Sequence, residues 1–262
     1  MALEVTMIRG RLTILAFALS AALLGCPADD PPAEPPEEPT PPDDDYDPVD
    51  YVDPLIGAGG VGFGIAASFP GPTVPFGQVR PGPDTSMSSG AMPILHCGGY
   101  YYEDTHIKGF SHIHLHGVGV AEFGNIRFMP TLGIDEDTVD WKGHRSEFSH
   151  DTEEVEAGYY AVTLDDTYIR AELTATTHAA MQRYTYPASD EAVVFVDLSA
   201  ALDGAIEIAD VQLDPDGGEI TGHVYNNDGF VGRVGGAHFH FVTRFDAVPT
   251  GWGTWSVDEE ET

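Results

Sequence analysis

The feature that most limits what this chain can fold into is a series of short apolar segments in which every second residue tends to be hydrophobic. They are Ile126–Met129, Tyr159–Leu164, Ile169–Thr174, Met181–Tyr186, Val193–Leu198, Ala205–Val211, Glu219–Tyr225 and Ala237–Phe245. A period of two puts alternate side chains on opposite faces of an extended chain, which suits a half-buried strand and not a helix. Turn chemistry separates the segments: Asp165-Asp166, Asp203-Gly204, Asp214-Pro215-Asp216-Gly217-Gly218 and Asn226-Asn227-Asp228-Gly229. Short strands at this spacing predict an all-β chain, an antiparallel β-sandwich.

The N-terminus reads differently. Arg9 and Arg11 precede an apolar run, Leu12 to Leu24, that ends Leu23-Leu24-Gly25-Cys26. A basic start and a short apolar stretch make a secretory signal, too short for a membrane span. Its ending resembles a bacterial lipobox, which implies lipid modification of Cys26 over a 1–26 leader. Residues 27–50 are almost wholly Pro, Asp and Glu. Prolines remove donors and the acids repel one another, so this stretch predicts an extended stalk. One folded domain, 51–262, remains. The expected location is the bacterial envelope, lipid-anchored and periplasmic or at the cell surface, with the membrane met through the lipid alone.

A formal charge of −32 excludes nucleic acid as a partner, because a phosphate backbone would be repelled. Neutral sugars are indifferent to it. Of the two cysteines, Cys26 is committed to lipid, and Cys97 reads as a small buried filler.

The chemistry concentrates between Cys97 and Thr131, CGGYYYEDTHIKGFSHIHLHGVGVAEFGNIRFMPT. Rings, hydroxyls, imidazoles and glycines together suit a polar small-molecule site, carbohydrate above all. An extended Ser111–Gly119 would put His112, His114 and His116 on one face. Such a trio can be structural, can serve sugar hydroxyls, or can ligate zinc. Tyr100, Tyr101 and Tyr102 are expected to divide between core and surface. Residues 57–93, rich in Gly and Pro, read as ordered loops in which Phe63, Phe69 and Phe76 need burial. His238 and His240 share a strand face and read as structural.

Several ordered motifs resemble glycoside hydrolase family 92, the calcium-dependent exo-α-mannosidases, in its N-terminal domain. They are Val52-Asp53-Pro54-Leu55-Ile56-Gly57, Phe69-Pro70-Gly71, Val74-Pro75-Phe76-Gly77, the Gly98–Gly119 block closing in Met129-Pro130-Thr131, Phe148-Ser149-His150, Gly158-Tyr159-Tyr160, Ala171–Thr176 and Arg183–Pro187. The resemblance implies a β-sandwich that packs on a C-terminal helical barrel. It also implies mannose-containing glycans as ligands, and substrate contacts at Gly59, Gly60, Ser111, His112 and His114. Catalytic acid, base and most calcium ligands are implied in the barrel, so no catalytic or metal residue is assigned here. The sequence departs from the family at His116, at Asn125 and in lacking a tryptophan between Ser86 and Leu95.

An inverting glycosidase needs two carboxyls ~6.5–9.5 Å apart. Neighbours such as Glu103 and Asp104 face opposite ways on a strand, and Asp165 and Asp166 share a turn. The expectation is therefore a domain of an α-mannosidase-like hydrolase, inactive alone and completed by the barrel or a separate chain. The alternatives are a surface-tethered, non-catalytic carbohydrate-binding lipoprotein module and a metal-binding lipoprotein using the histidines.

Overall fold

The computed structural model describes residues 47–60, 67–87, 96–117, 119–135, 138, 140–214, 216–227 and 229–255. The leader, Cys26 and most of the stalk lie outside them, as does Phe63. The last stalk residues, with Tyr51, form a 3-10 turn, Pro48–Tyr51, capped by Asp47, whose side chain accepts from the Val49 amide.

Among the described residues twelve strands follow in chain order: β1 (Gly82–Ser86), β2 (His106–Ile113), β3 (Asn125–Leu132), β4 (Ser146–Glu147), β5 (Glu154–Glu156), β6 (Tyr159–Leu164), β7 (Ile169–Ala175), β8 (Ala180–Thr185), β9 (Ala192–Asp197), β10 (Ile206–Asp214), β11 (Glu219–Asn226) and β12 (Ala237–Arg244). All pairings are antiparallel. The first sheet runs β1-β2-β3-β9 with β4 beside β2, the second β5-β6-β7-β8, the third β10-β11-β12. Helical segments among the described residues are single turns. The predicted all-β class holds.

The first two sheets share the main core. Ile107, Phe110 and Met129 meet Tyr160, Val162, Leu164, Ile169, Ala171 and Leu173, with Phe69 and Tyr100 between loops. Burying side chains of this size stabilises by about 1.5–3 kcal/mol each. A second cluster joins Ile126 and Phe128 to Val224, with Val194, Val196, Phe239 and Phe241 against it, and fixes the third sheet.

Three expectations are corrected. The 57–93 region is not all loop, because β1 lies within it. Its sequence, GPDTS, has no apolar alternation, since all five residues are buried. The chain also leaves the strand at Ile113, so His112, His114 and His116 do not share a face. Finally, Phe76 is 97% exposed. It sits in a turn closed by Gly77 N–H to the Val74 carbonyl, and its φ of 62° marks the left-handed region.

Candidate functional site

The Cys97–Thr131 stretch builds two different environments, one buried and charged, the other open. In the buried one, β1 and β2 pair with a bulge: Asp84 opposes Gly109, Thr85 opposes Ile107, and Lys108 is the extra residue. Gly109 has φ +147°, and a Cβ there would lie 2.7 Å from Arg127 Cγ. The missing side chain lets Arg127 cross over β2. Its guanidinium stands 3.9 Å from Asp84 and 2.5 Å from Asp197 on β9.

His114 joins the same group. Its Nδ1 donates to the Arg80 carbonyl at 2.8 Å, and its Nε2 lies 2.8 Å from Asp84 Oδ1 and 2.9 Å from Ser111 Oγ. The Arg80 carbonyl and the Asp84 carboxylate thus face the two ring nitrogens. Burial raises the Asp84 pKa, but the His114 hydrogen bond and the charges of His114, Lys108 and Arg127 outweigh it and hold the carboxyl below its usual range. Burial pulls the Lys108 ammonium down to about 8, with Arg127 adding to the effect. Gly99 closes the top of this cluster, since a Cβ on it would stand 2.7 Å from Asp84 Oδ1.

His112 faces elsewhere. Its Nδ1 donates to the Ile126 carbonyl at 3.0 Å, and its Nε2 accepts from Gln182 at 3.2 Å. Burial lowers its pKa to about 4, the Ile126 bond opposing. His116 stacks on Phe69 at 4.3 Å. Ser111 and His114 are thus interior, while Gly59 and Gly60 are not.

Those glycines border the open environment. Asp53, Leu55, Ile56, Gly57, Gly59, Gly60, Tyr102 and Glu103 line a shallow cavity of about 360 Å³. Gly60 N–H donates to Glu103 Oε1 at 3.1 Å, and Tyr101 OH donates to the Gly60 carbonyl at 3.2 Å. A Cβ on Gly59 would meet Tyr102 Cβ at 2.6 Å, so only glycine lets the loop lie this close. Beyond the Tyr102–Glu103 ridge, a second groove of about 480 Å³ runs over Thr105, Phe148, Ser149 and His150. Tyr102 stacks on His150 at 4.0 Å, and His150 Nε2 donates to the Tyr102 carbonyl.

The three tyrosines do divide: Tyr100 and Tyr101 are buried, and Tyr102 is 38% exposed. Glu103 and Asp104 diverge as expected, with Glu103 exposed and Asp104 buried 2.5 Å from His96 Nε2. Sequence reasoning missed Asp53 and Glu103 as cavity residues, and the Asp84–Arg127–Asp197 network. The run of glycines and the three tyrosines pointed near the cavity. Among the described residues no three His, Cys, Asp or Glu are grouped to hold a metal ion. The resemblance places most calcium ligands in the helical barrel, outside these residues.

Antiparallel sheets thus pack over two apolar clusters, and a Gly-lined groove lies beside the partly exposed Tyr102 ring. The sequence matches the Glycosyl hydrolase family 92 N-terminal domain over residues 51–262, and the chain belongs to that family. A family GH92 α-mannosidase from Bacteroides thetaiotaomicron, also solved with mannoimidazole, is 30% identical with a TM-score of 0.67, covering 78% of this chain and 26% of its own. An uncharacterized secreted glycosidase of Arthroderma benhamiae is 29% identical over 177 residues, 63% of this chain and 21% of that protein. The chain therefore spans about a quarter or less of the length of these relatives.

Proposed function

We propose that this chain supplies the sugar-facing β-domain of a calcium-dependent exo-α-mannosidase and binds the non-reducing end of mannose-containing glycans. The observation that carries the reading is the cavity where the Gly57–Gly60 backbone meets Tyr102 and Glu103. Backbone can approach a ligand closely there, a carboxylate can accept from sugar hydroxyls, and an aromatic ring offers a flat apolar face.

Gly59 and Gly60 touch the sugar in this reading. Ser111 and His114 act from beneath, through Asp84, by holding β1 and the Gly99 turn in place. His112 fixes β3 through the Ile126 carbonyl. The acid, the base and the calcium ligands belong to a helical barrel, in the same chain or another. Cys26 carries the lipid, and residues 27–50 hold the domain away from the membrane.

Titrating the purified chain with methyl α-mannoside, observed by amide chemical shifts, tests the binding claim. Shifts are expected at Gly59, Gly60, Tyr102 and Glu103. Shifts confined to another surface would overturn it. Labelling with a fatty-acid probe in a bacterial host tests the anchor, and label retained by Cys26→Ala contradicts it.

A further inference from the structure

The Phe148-Ser149-His150 motif ends in a half-buried histidine to which mannoside binding gives no role. Ser149 Oγ accepts from the Asp151 amide and caps a single 3-10 turn, His150–Thr152. At three residues per turn, positions i and i+3 lie one above the other, so the turn sets Glu153 beside His150. The two side chains meet, His150 Nδ1 to Glu153 Oε2, at 2.6 Å.

Glu153 is a fixed point beneath the Tyr102–Glu103 ridge. Its side chain is 2% exposed. Oε1 accepts from the Tyr160 hydroxyl at 2.7 Å, and Oε2 accepts from the Tyr100 hydroxyl at 3.1 Å. Burial, and after it the charge of Glu153, raise the pKa of both phenols, so each keeps the proton it donates. Moving this carboxylate would leave buried polar groups unpaired, which is costly.

From Glu153 the contacts run outward to the cavity. The His150 ring stacks on Tyr102, with centroids 4.0 Å apart and planes within 1°. Its Nε2–H donates to the Tyr102 carbonyl at 2.8 Å, and Phe148 packs perpendicular to it at 5.4 Å. Tyr102 N–H in turn donates to the Ala58 carbonyl at 2.9 Å, inside the Gly57–Gly60 loop. A partly exposed tyrosine has several staggered rotamers open to it. Holding one of them before a ligand arrives removes an ordering cost from binding.

We infer that His150 is a positioning residue for the mannoside site: backed by Glu153, it holds the Tyr102 ring in the orientation that meets the sugar. The inference rests on the mannoside reading above. His150 does not line the cavity of Gly59 and Gly60, and it acts through Tyr102.

A double-mutant cycle tests this, with the affinity of the purified chain for methyl α-mannoside read from amide chemical shifts. His150→Ala should weaken binding at least about threefold, and Glu153→Gln about twofold. In a Tyr102→Ala background, His150→Ala should weaken it no further, because the ring it holds is gone. The ligand-free chain gives an independent readout. Stacking shields the Tyr102 ring protons, so their resonances should move downfield in His150→Ala. They should stay near their native place in His150→Phe, which restores a ring without the N–H donors and should recover part of the lost affinity. Circular dichroism checks that each variant keeps the native fold. Native affinity in His150→Ala, unmoved Tyr102 resonances, or an equal loss with and without Tyr102 overturns the inference and leaves the mannoside reading in place. A native chain that binds no methyl α-mannoside overturns that reading, and the inference with it.

Discussion

Arg127 reaches Asp84 by crossing the backbone of Gly109, and it ends 3.9 Å from that carboxylate with Asp197 on its far side. A glycine in the middle of a largely buried strand such as β2 normally costs stability. Here it lets one arginine sit between two acids from different strands.

Gly109→Ala should therefore destabilise the domain by about 2–4 kcal/mol. The added methyl meets Arg127 Cγ and the Phe128 carbonyl, and the backbone sits at φ +147°. Urea unfolding of the two proteins measures this. A change below about 0.5 kcal/mol would show that Arg127 can move aside.

Removing the cation should cost more than removing the pair. Arg127→Leu leaves Asp84 with His114 and Lys108 alone and takes the guanidinium from Asp197, with an expected loss of about 3–5 kcal/mol. Adding Asp84→Asn should recover part of it, because one buried charge is withdrawn. Strict additivity in the double-mutant cycle would contradict a direct coupling.

His112 makes stability depend on acid. Its folded pKa, about 4, lies below the usual imidazole value near 6.5, so the unfolded chain binds the proton first. Stability therefore falls as pH drops from about 6.5 to about 4, by up to roughly 3 kcal/mol from this group. Asp84, whose carboxyl is held low, adds a loss at still lower pH. His106, His116 and His144, also lowered by burial, act in the same direction, so His112→Gln should reduce the slope between about pH 4 and 6.5 without abolishing it and leave the lower part. Equal slopes in both proteins would show that other groups carry the acid response.

Tyr102 is the ring that the cavity and the second groove share. Tyr102→Ala should weaken methyl α-mannoside binding at least about fivefold, since a stacked aromatic contact contributes about 1 kcal/mol or more. The side chain is partly exposed, so the fold should survive, as circular dichroism would report. Undiminished binding would move the sugar away from this ridge.

Much of the β-architecture could be read from the residues. Tyr159–Leu164 appears at the predicted limits, and the seven other alternating segments appear within a few residues of theirs. Most turn at least one face toward a core, so hydrophobicity marks them, whereas β10 is exposed along most of its length. β1 could not be read, because Asp84, Thr85 and Ser86 are buried through hydrogen bonds and charge partners, not by apolar character. The partners of Asp84 lie far along the chain, at His114 and Arg127, and no local pattern announces them. The cavity was half legible. The glycines were visible at Gly57–Gly60, but their contact with Glu103 spans 43 positions. The three histidines misled because the strand stops at Ile113, where His114 turns inward to Asp84.

The central claim is that this chain provides binding surface for mannoside hydrolysis while a helical barrel provides the chemistry. The most direct measurement is mannose release from an α-mannoside by the purified chain, by the part of the related Bacteroides α-mannosidase that this chain does not match, and by the two together, each with and without calcium. Release is predicted only from the mixture with calcium, and it should fall with Tyr102→Ala. Calcium-dependent mannose release by the purified chain alone would contradict the claim.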